Sequence, residues 1–473
     1  MTGAKKTLEL YLHIPFCKQK CLYCDFLSAP CSAGTMDAYA DALKRQIYSE
    51  AAHYGDYEVS TVFWGGGTPS LLRAGQILRL MEAVRRSFLV REDAEITLEC
   101  NPGTLDEEKL AEYKRAGINR LSMGLQSADD RELKALGRIH DYAAFEENFR
   151  QARRAGFENI NVDLMSALPG QSTESWERTL RRTAGLGAEH ISAYSLIIEE
   201  GTPFWERYGE EGSRKKADGS GGETFPALPS EDEERRMYER TQEILREYGY
   251  HRYEISNYAK EGRECRHNVG YWRRVNYLGL GLGASSLIEN VRWKMTSELA
   301  EYLDAFGGGR ALAQGAAGKS VPDCREERQE LSVSEQMEEF MFLGLRMTEG
   351  VSTEEFEAQF GRSFFQVYGE AVKKLDGIRD GCEQLCAGAV SVGLEEDHEI
   401  RICTAGGDHR LYLPKRPPRL FSVHGHILYA LYHAQKGKEL YGAGMERRDR
   451  RAQRRNARDS ADSDQSGRRL LHG

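Results

Sequence analysis

What most limits the fold of this chain is an alternation, through its first 196 residues, of short β-rich runs with helix-length segments. LELYLH, VSTVFW, AEITLE, RLSMGLQ, NINVDLM and HISAYSL are the β-rich runs, and stretches such as MDAYADALKRQIYSEAA separate them. Strands joined by helix-length crossovers lie parallel in one sheet, because a parallel return cannot be made through a tight turn. The pattern predicts an α/β fold, a complete or partial (β/α) barrel core over residues 1–200. In such a core the ligand-binding side chains gather at the C-terminal ends of the strands.

Beyond the core, residues 201–230 shift to EEGSRKKADGSGGETFPALPS, too poor in apolar side chains to bury itself, and are expected to form an exposed insertion. Residues 231–325 hold a charged helix from about Ser230 to Tyr248, then YEISNYA, RHNVGYW and the glycine-rich YLGLGLGASSL, and are expected to complete the barrel. A small, mainly helical C-terminal domain is expected over 326–376. In it EQMEEFMFLGLRMTEGVSTEEFEAQFG reads as two helices, the second capped by Ser352 or Thr353 with acids in its first turn. In the remaining segment, 377–473, the stretch from MERRDRR onward has almost no apolar residues and is expected to be a disordered tail. His424 and His426 stand at alternate positions there; a solvated loop is the first reading, a metal pair the second.

Composition narrows the functional classes. With 40% hydrophobic and 29% charged residues and a net charge of −9, the chain fits a soluble globular protein and offers no electrostatic basis for nucleic-acid binding. The N-terminal stretch lacks the apolar core and cleavage site of a signal peptide, and no apolar run approaches membrane-spanning length. Ten cysteines in 473 residues are too sparse for a disulfide scaffold. The expectation is a cytoplasmic protein whose only tight cysteine cluster ligates metal.

That cluster is HIPFCKQKCLYC, which places Cys17, Cys21 and Cys24 directly after the first strand. At this cysteine frequency the C-x3-C-x2-C spacing arises by chance with a probability of roughly 0.004. A four-iron cluster normally takes four cysteines, so three leave one iron open to an exchangeable ligand; a structural zinc site is the alternative. Cys31 lies beyond Pro30, outside the compact loop, and the other cysteines are scattered. FWGGGTPS follows the second strand, and its glycines either bring backbone against a ligand or make a tight strand-to-helix connection. Glu99, Gln126, Arg138 and Asp163 lie at or just past later strand ends, where a carboxylate suits ribose hydroxyls and an arginine suits a carboxylate.

Spacing and surroundings together resemble the radical S-adenosylmethionine (SAM) superfamily, in the branch related to oxygen-independent coproporphyrinogen III oxidase, over about residues 8 to 370. The resemblance implies a 4Fe-4S cluster on Cys17, Cys21 and Cys24, with SAM on the open iron. It implies contacts to that SAM from Tyr11, Gly66 and Glu99, and a second-SAM pocket of Tyr23, Gly67, Thr68, Gln126, Arg138 and Asp163. Two departures from the oxidase pattern stand out: Phe26 occupies the place of a further cysteine, and Tyr11 opens the motif almost at the start.

Both departures match the haem-chaperone, HemW-like branch, which carries HNxxYW after the barrel; in this chain it stands as His267, Asn268, Val269, Gly270, Tyr271 and Trp272. The branch implies haem as ligand, with an imidazole from His267 and flat apolar surface from Tyr271 and Trp272. It also implies respiratory haem proteins as acceptors and an electron donor as a further partner. On the residues alone, the first reading is His267 as a helix cap, with Tyr271 and Trp272 in a core. Coproporphyrinogen decarboxylation, or radical chemistry on another substrate, is the enzyme alternative. Past about Asp376 the resemblance ends.

Overall fold

The computed structural model describes residues 5–209, 225–307, 323–376, 402–405 and 408–411. The six expected strands are β1 (Lys6–Ile14), β2 (Tyr57–Gly66), β3 (Val90–Cys100), β4 (Arg120–Gln126), β5 (Ile160–Ser166) and β6 (His190–Ser195). They pair in chain order, each parallel to the next. The crossovers carry helices at Ala33–Ala51, Ala74–Ser87, Glu107–Ala116, Tyr142–Arg154 and Thr173–Gly185. Several begin where the sequence supplies an acceptor for a first-turn amide: Ser32, Asp106, Asp141 and Ser172 each take the N–H three residues on.

Strand alternation divides the sheet into two chemically different faces. Leu8, Leu10, Leu12 and Ile14 of β1, with Val62, Trp64, Ile96, Leu98, Leu121, Val162 and Ile191, belong to the main apolar core. The intervening positions are polar except for Phe63 and stand opposite one another: Glu9, Thr61 and Glu95 at one level, Tyr11, Phe63 and Thr97 at the next. Glu99, Ser122 and Asn161 are likewise in register. This side is therefore lined mainly by polar groups, and most of them are buried.

The barrel is partial. Beyond β1 the sheet continues through β9 (Tyr277–Leu280), parallel to it, and then the antiparallel β10 (Ser285–Ile288), β11 (Val291–Met295) and β12 (Arg325–Glu330). Beyond β6 it continues through the antiparallel β8 (Asn257–Ala259) and β7 (His251–Arg252). The two edges do not pair with each other. Before β7 stands the expected charged helix, Glu231–Glu247, opened by a capping box between Ser230 and Glu233.

The chain splits into two compact units between Val351 and Ser352. Arg325–Glu330 is a strand paired with β11, and the helix Val333–Gly344 belongs to the first unit. The second unit holds the helices Thr353–Phe360 and Phe364–Asp376. Ser352 is the cap, accepting from the Glu355 amide, with Glu354 and Glu355 in the first turn. Half of the expected exposed insertion, residues 210–224, lies outside the described residues, as do His424, His426 and the tail; the insertion's described start is no exposed stretch, because the helix Pro203–Tyr208 buries Phe204. Among the described residues no helix is long and apolar enough to cross a membrane.

Candidate cofactor site

Past β1 the chain forms a loop that runs through Cys17, Cys21 and Cys24 and returns at Ala29. The Cys17 amide donates to the Ala29 carbonyl (3.2 Å) and the Ala29 amide to that of Pro15 (3.1 Å), closing the loop at its neck. Its middle is tied by the Leu22 amide donating to Leu136 O (3.1 Å). The three thiols are free, partly exposed, and line one cavity of about 300 Å³ at the C-terminal ends of the strands. Gly66, Gly67, Thr68, Glu99, Gln126, Arg138, Asp163 and Tyr23 line the same cavity, so nearly all the residues expected to hold SAM come together.

The glycine run does something the sequence does not reveal. Gly66 has φ +110°, and a Cβ there would lie 2.5 Å from the His13 imidazole; a Cβ on Gly67 would lie 2.7 Å from the Phe16 carbonyl oxygen. The missing side chains let the end of β2 close onto the chain itself, seating it against the cysteine loop. His13 is the strut: Nδ1 is 3.0 Å from the Tyr11 hydroxyl and Nε2 is 3.0 Å from the Leu27 carbonyl in the same loop.

A continuous set of hydrogen bonds joins two of the cysteines. Arg138 Nη1 donates to Cys21 Sγ (3.5 Å), while Nη2 donates to Asn101 Oδ1 and to the Gly124 carbonyl, each at 2.7 Å. The Asn101 amide donates to Thr68 Oγ1 (2.7 Å), whose hydroxyl donates to Cys17 Sγ (3.5 Å). Both ends of this chain present donors to sulfur, the orientation that favours thiolates and stabilises a metal–thiolate centre. Asn101 stands two residues after Glu99 in LECNP, and nothing in that spacing marks it as a bridge between two more distant residues.

Burial, and then the charge of Asp163, push the Glu99 carboxyl up to about 8. Burial also raises Asp163, against hydrogen bonds from Asn161 and Ser122 that favour its charge. Glu99 accepts from the Gly66 amide at 3.2 Å. Gln126, at the end of β4 with φ +71°, accepts from the Tyr194 hydroxyl at 3.0 Å. Three thiols, converging donors and paired acids fit a cluster with one open iron and an amino-acid ligand beside it.

Two expectations about position are corrected. Asp163 stands in the middle of β5 and still lines the cavity, as do Ser122 and Gly124 inside β4. Tyr11 stands in the middle of β1 and does not line the cavity; its hydroxyl is engaged by His13.

HNVGYW forms the short helix Arg266–Trp272 and lies elsewhere. His267 is 1% exposed, with Nδ1 2.6 Å from the Thr61 hydroxyl and Nε2 2.9 Å from the Tyr271 hydroxyl. Thr61 precedes Gly66 by five residues in β2, which puts His267 about 16 Å below the rim. The imidazole stacks on Phe63, with ring centroids 5.0 Å apart, and burial lowers its pKa to about 3. Trp272 packs near Tyr253 and Met347, under the Arg346 guanidinium (4.2 Å). In this conformation both ring nitrogens of His267 have partners within the chain.

A parallel partial barrel with a three-cysteine loop after its first strand defines the class: a radical SAM protein. A family model described as Radical SAM superfamily matches residues 11–183, and one described as HemN C-terminal domain matches 331–386. The solved structure of coproporphyrinogen III oxidase (HemN) from Escherichia coli shares the fold, with a TM-score of 0.67 at 24% identity over 91% of each chain. The protein named heme chaperone HemW from Bacillus subtilis is 37% identical over 366 residues, 77% of this chain and 90% of that one. Its namesake from Escherichia coli is 40% identical over 278 residues, 59% and 69% of the two chains. The chain belongs to the HemW family, and superfamily membership implies a 4Fe-4S cluster and SAM.

Proposed function

We propose that this chain binds haem and passes it to acceptor haem proteins of the respiratory chain, holding a SAM-binding 4Fe-4S cluster as it does so. The observation that carries the reading is the 37% identity across 90% of a relative named heme chaperone. Cys17, Cys21 and Cys24 would hold the cluster, which when bound supplies an electron to a sulfonium. Tyr11, Gly66 and Glu99 would serve the SAM on the open iron, Tyr11 acting from below through His13. Tyr23, Gly67, Thr68, Gln126, Arg138 and Asp163 would form the second-SAM pocket. In the second pocket the Arg138 guanidinium offers donors to a carboxylate; at the first, Glu99, largely protonated at neutral pH, offers both a donor and an acceptor. The Arg138–Asn101–Thr68 chain holds two sulfurs against donors. A cytoplasmic location, an electron-donor partner and no nucleic-acid partner complete the proposal.

His267, Tyr271 and Trp272 are the proposed haem residues. For His267 to reach iron, its hydrogen bond to Tyr271 or Thr61 must break and the 266–272 helix must lift from the barrel. The test is haem titration of the purified chain: about one haem per chain is expected, with a Soret band that His267→Ala weakens or shifts while the cluster survives. An unchanged spectrum and affinity in a folded variant would remove His267 from the site; absence of any haem binding by the wild type would end the chaperone reading. Phe26 in place of the oxidase cysteine supports chaperone over decarboxylase. Protoporphyrinogen accumulating under anaerobic turnover with SAM and reductant would reverse that.

A further inference from the structure

The mouth of the cysteine-lined cavity carries apolar surface that the cluster and SAM do not account for. Phe26 is 64% exposed and Ile139 is 53% exposed, although they come from loops after different strands, and both line this cavity. Single exposed hydrophobics are ordinary, but two large ones on the rim of one concave site mark a binding surface. Leu27, beside Phe26 in the same loop, is 38% exposed as well. Two cations stand on the same rim: Lys18 and Lys20 line the cavity and are exposed, and Lys20 Nζ donates to the Phe26 carbonyl at 3.1 Å. A flat ring, a branched aliphatic and two ammonium groups around one mouth complement a planar apolar molecule that carries carboxylates.

We propose that iron protoporphyrin IX docks at this mouth, its ring face against Phe26 and Ile139 and its propionates toward Lys18 and Lys20. The proposal rests on the haem-binding reading above and sets the mouth, which needs no opening of the fold, as the alternative to His267, Tyr271 and Trp272 for the place where the one haem docks. It also gives Phe26 a function: at this position a thiol would offer less flat apolar area to a macrocycle.

The experiment titrates haem into the full chain with its cluster reconstituted, following the Soret band, and monitors the cluster by EPR. Phe26→Asp/Ile139→Asp should weaken haem binding at least tenfold while the EPR signal persists, and Lys18→Glu/Lys20→Glu should weaken it several-fold. Haem dimethyl ester, which lacks free propionates, should bind the wild type more weakly than haem does and should not respond to the lysine changes. Should the apolar variant lose its cluster, the wild type alone decides: haem should shield Lys18 and Lys20 from acetylation, read by mass spectrometry. Unchanged affinity in an apolar variant that retains its cluster, or unshielded lysines at haem saturation, would overturn the mouth as the docking place while leaving the chaperone reading intact. A wild type that binds no haem would overturn both.

Discussion

Gly270 of HNVGYW is held to glycine by a carboxyl group, and that contact makes a quantitative prediction. A Cβ built on Gly270 would lie 2.0 Å from Glu9 Oε1 and 2.4 Å from Oε2. Glu9 is 2% exposed, and its Oε2 has no hydrogen-bond partner. Burial, reinforced by Glu95, holds its carboxyl well above the usual range, which favours the uncharged form. His267, 3.8 Å away, is neutral at pH 7, because burial and then Arg120 lower its pKa to about 3. The contact is therefore steric and polar with no ion pair to rearrange, and the carboxyl is enclosed by the barrel wall. Overpacking a closed interior costs ~1–3 kcal/mol, and with an overlap this deep Gly270→Ala should destabilise the cofactor-free chain near the top of that range. Chemical denaturation measures it. Glu9→Ala opens the space, so adding Gly270→Ala in that background should cost less than ~1 kcal/mol, giving a coupling of about 2 kcal/mol between the two sites. A neutral Gly270→Ala, or an equal cost in both backgrounds, would refute the packing argument.

The three-cysteine loop predicts that reconstituted, reduced protein gives a four-iron EPR signal that changes on adding SAM; Ala at Cys17, Cys21 or Cys24 should abolish it, and its survival in the triple variant would remove the assignment. Asn101→Leu should break the bridge between Arg138 and Thr68 and lower the midpoint potential of the reconstituted cluster, since fewer ordered donors face its sulfurs; an unchanged potential in an EPR redox titration would show the bridge to be merely structural. Glu99 has a folded pKa of about 8 against 4.5 unfolded, so the cofactor-free fold takes up a proton there. Its stabilising contribution is complete below pH 4.5 and is lost as pH rises toward 8; Glu99→Gln should flatten that part of the stability profile, and an unaltered slope would contradict the raised pKa.

The sequence by itself determined the strands, the crossovers and the chemistry of each strand face. Period-2 alternation in LELYLH already separates Leu8, Leu10 and Leu12 from Glu9, Tyr11 and His13, because side-chain direction along a strand is a local property. Ser352 as a cap and the three cysteines as one loop were legible for the same reason: the partners lie within a few residues of each other. What only the tertiary structure decided is what meets across the crossovers. That His13 fills the space left by Gly66, that Asn101 links Arg138 to Thr68, that Glu9 stands against Gly270, and that His267 is bonded to Thr61, 206 residues away, all depend on register between strands and on the seating of a helix far along the chain. No spacing along the sequence records that register; it is fixed by packing the apolar face and by burying each polar group of the opposite face beside a partner.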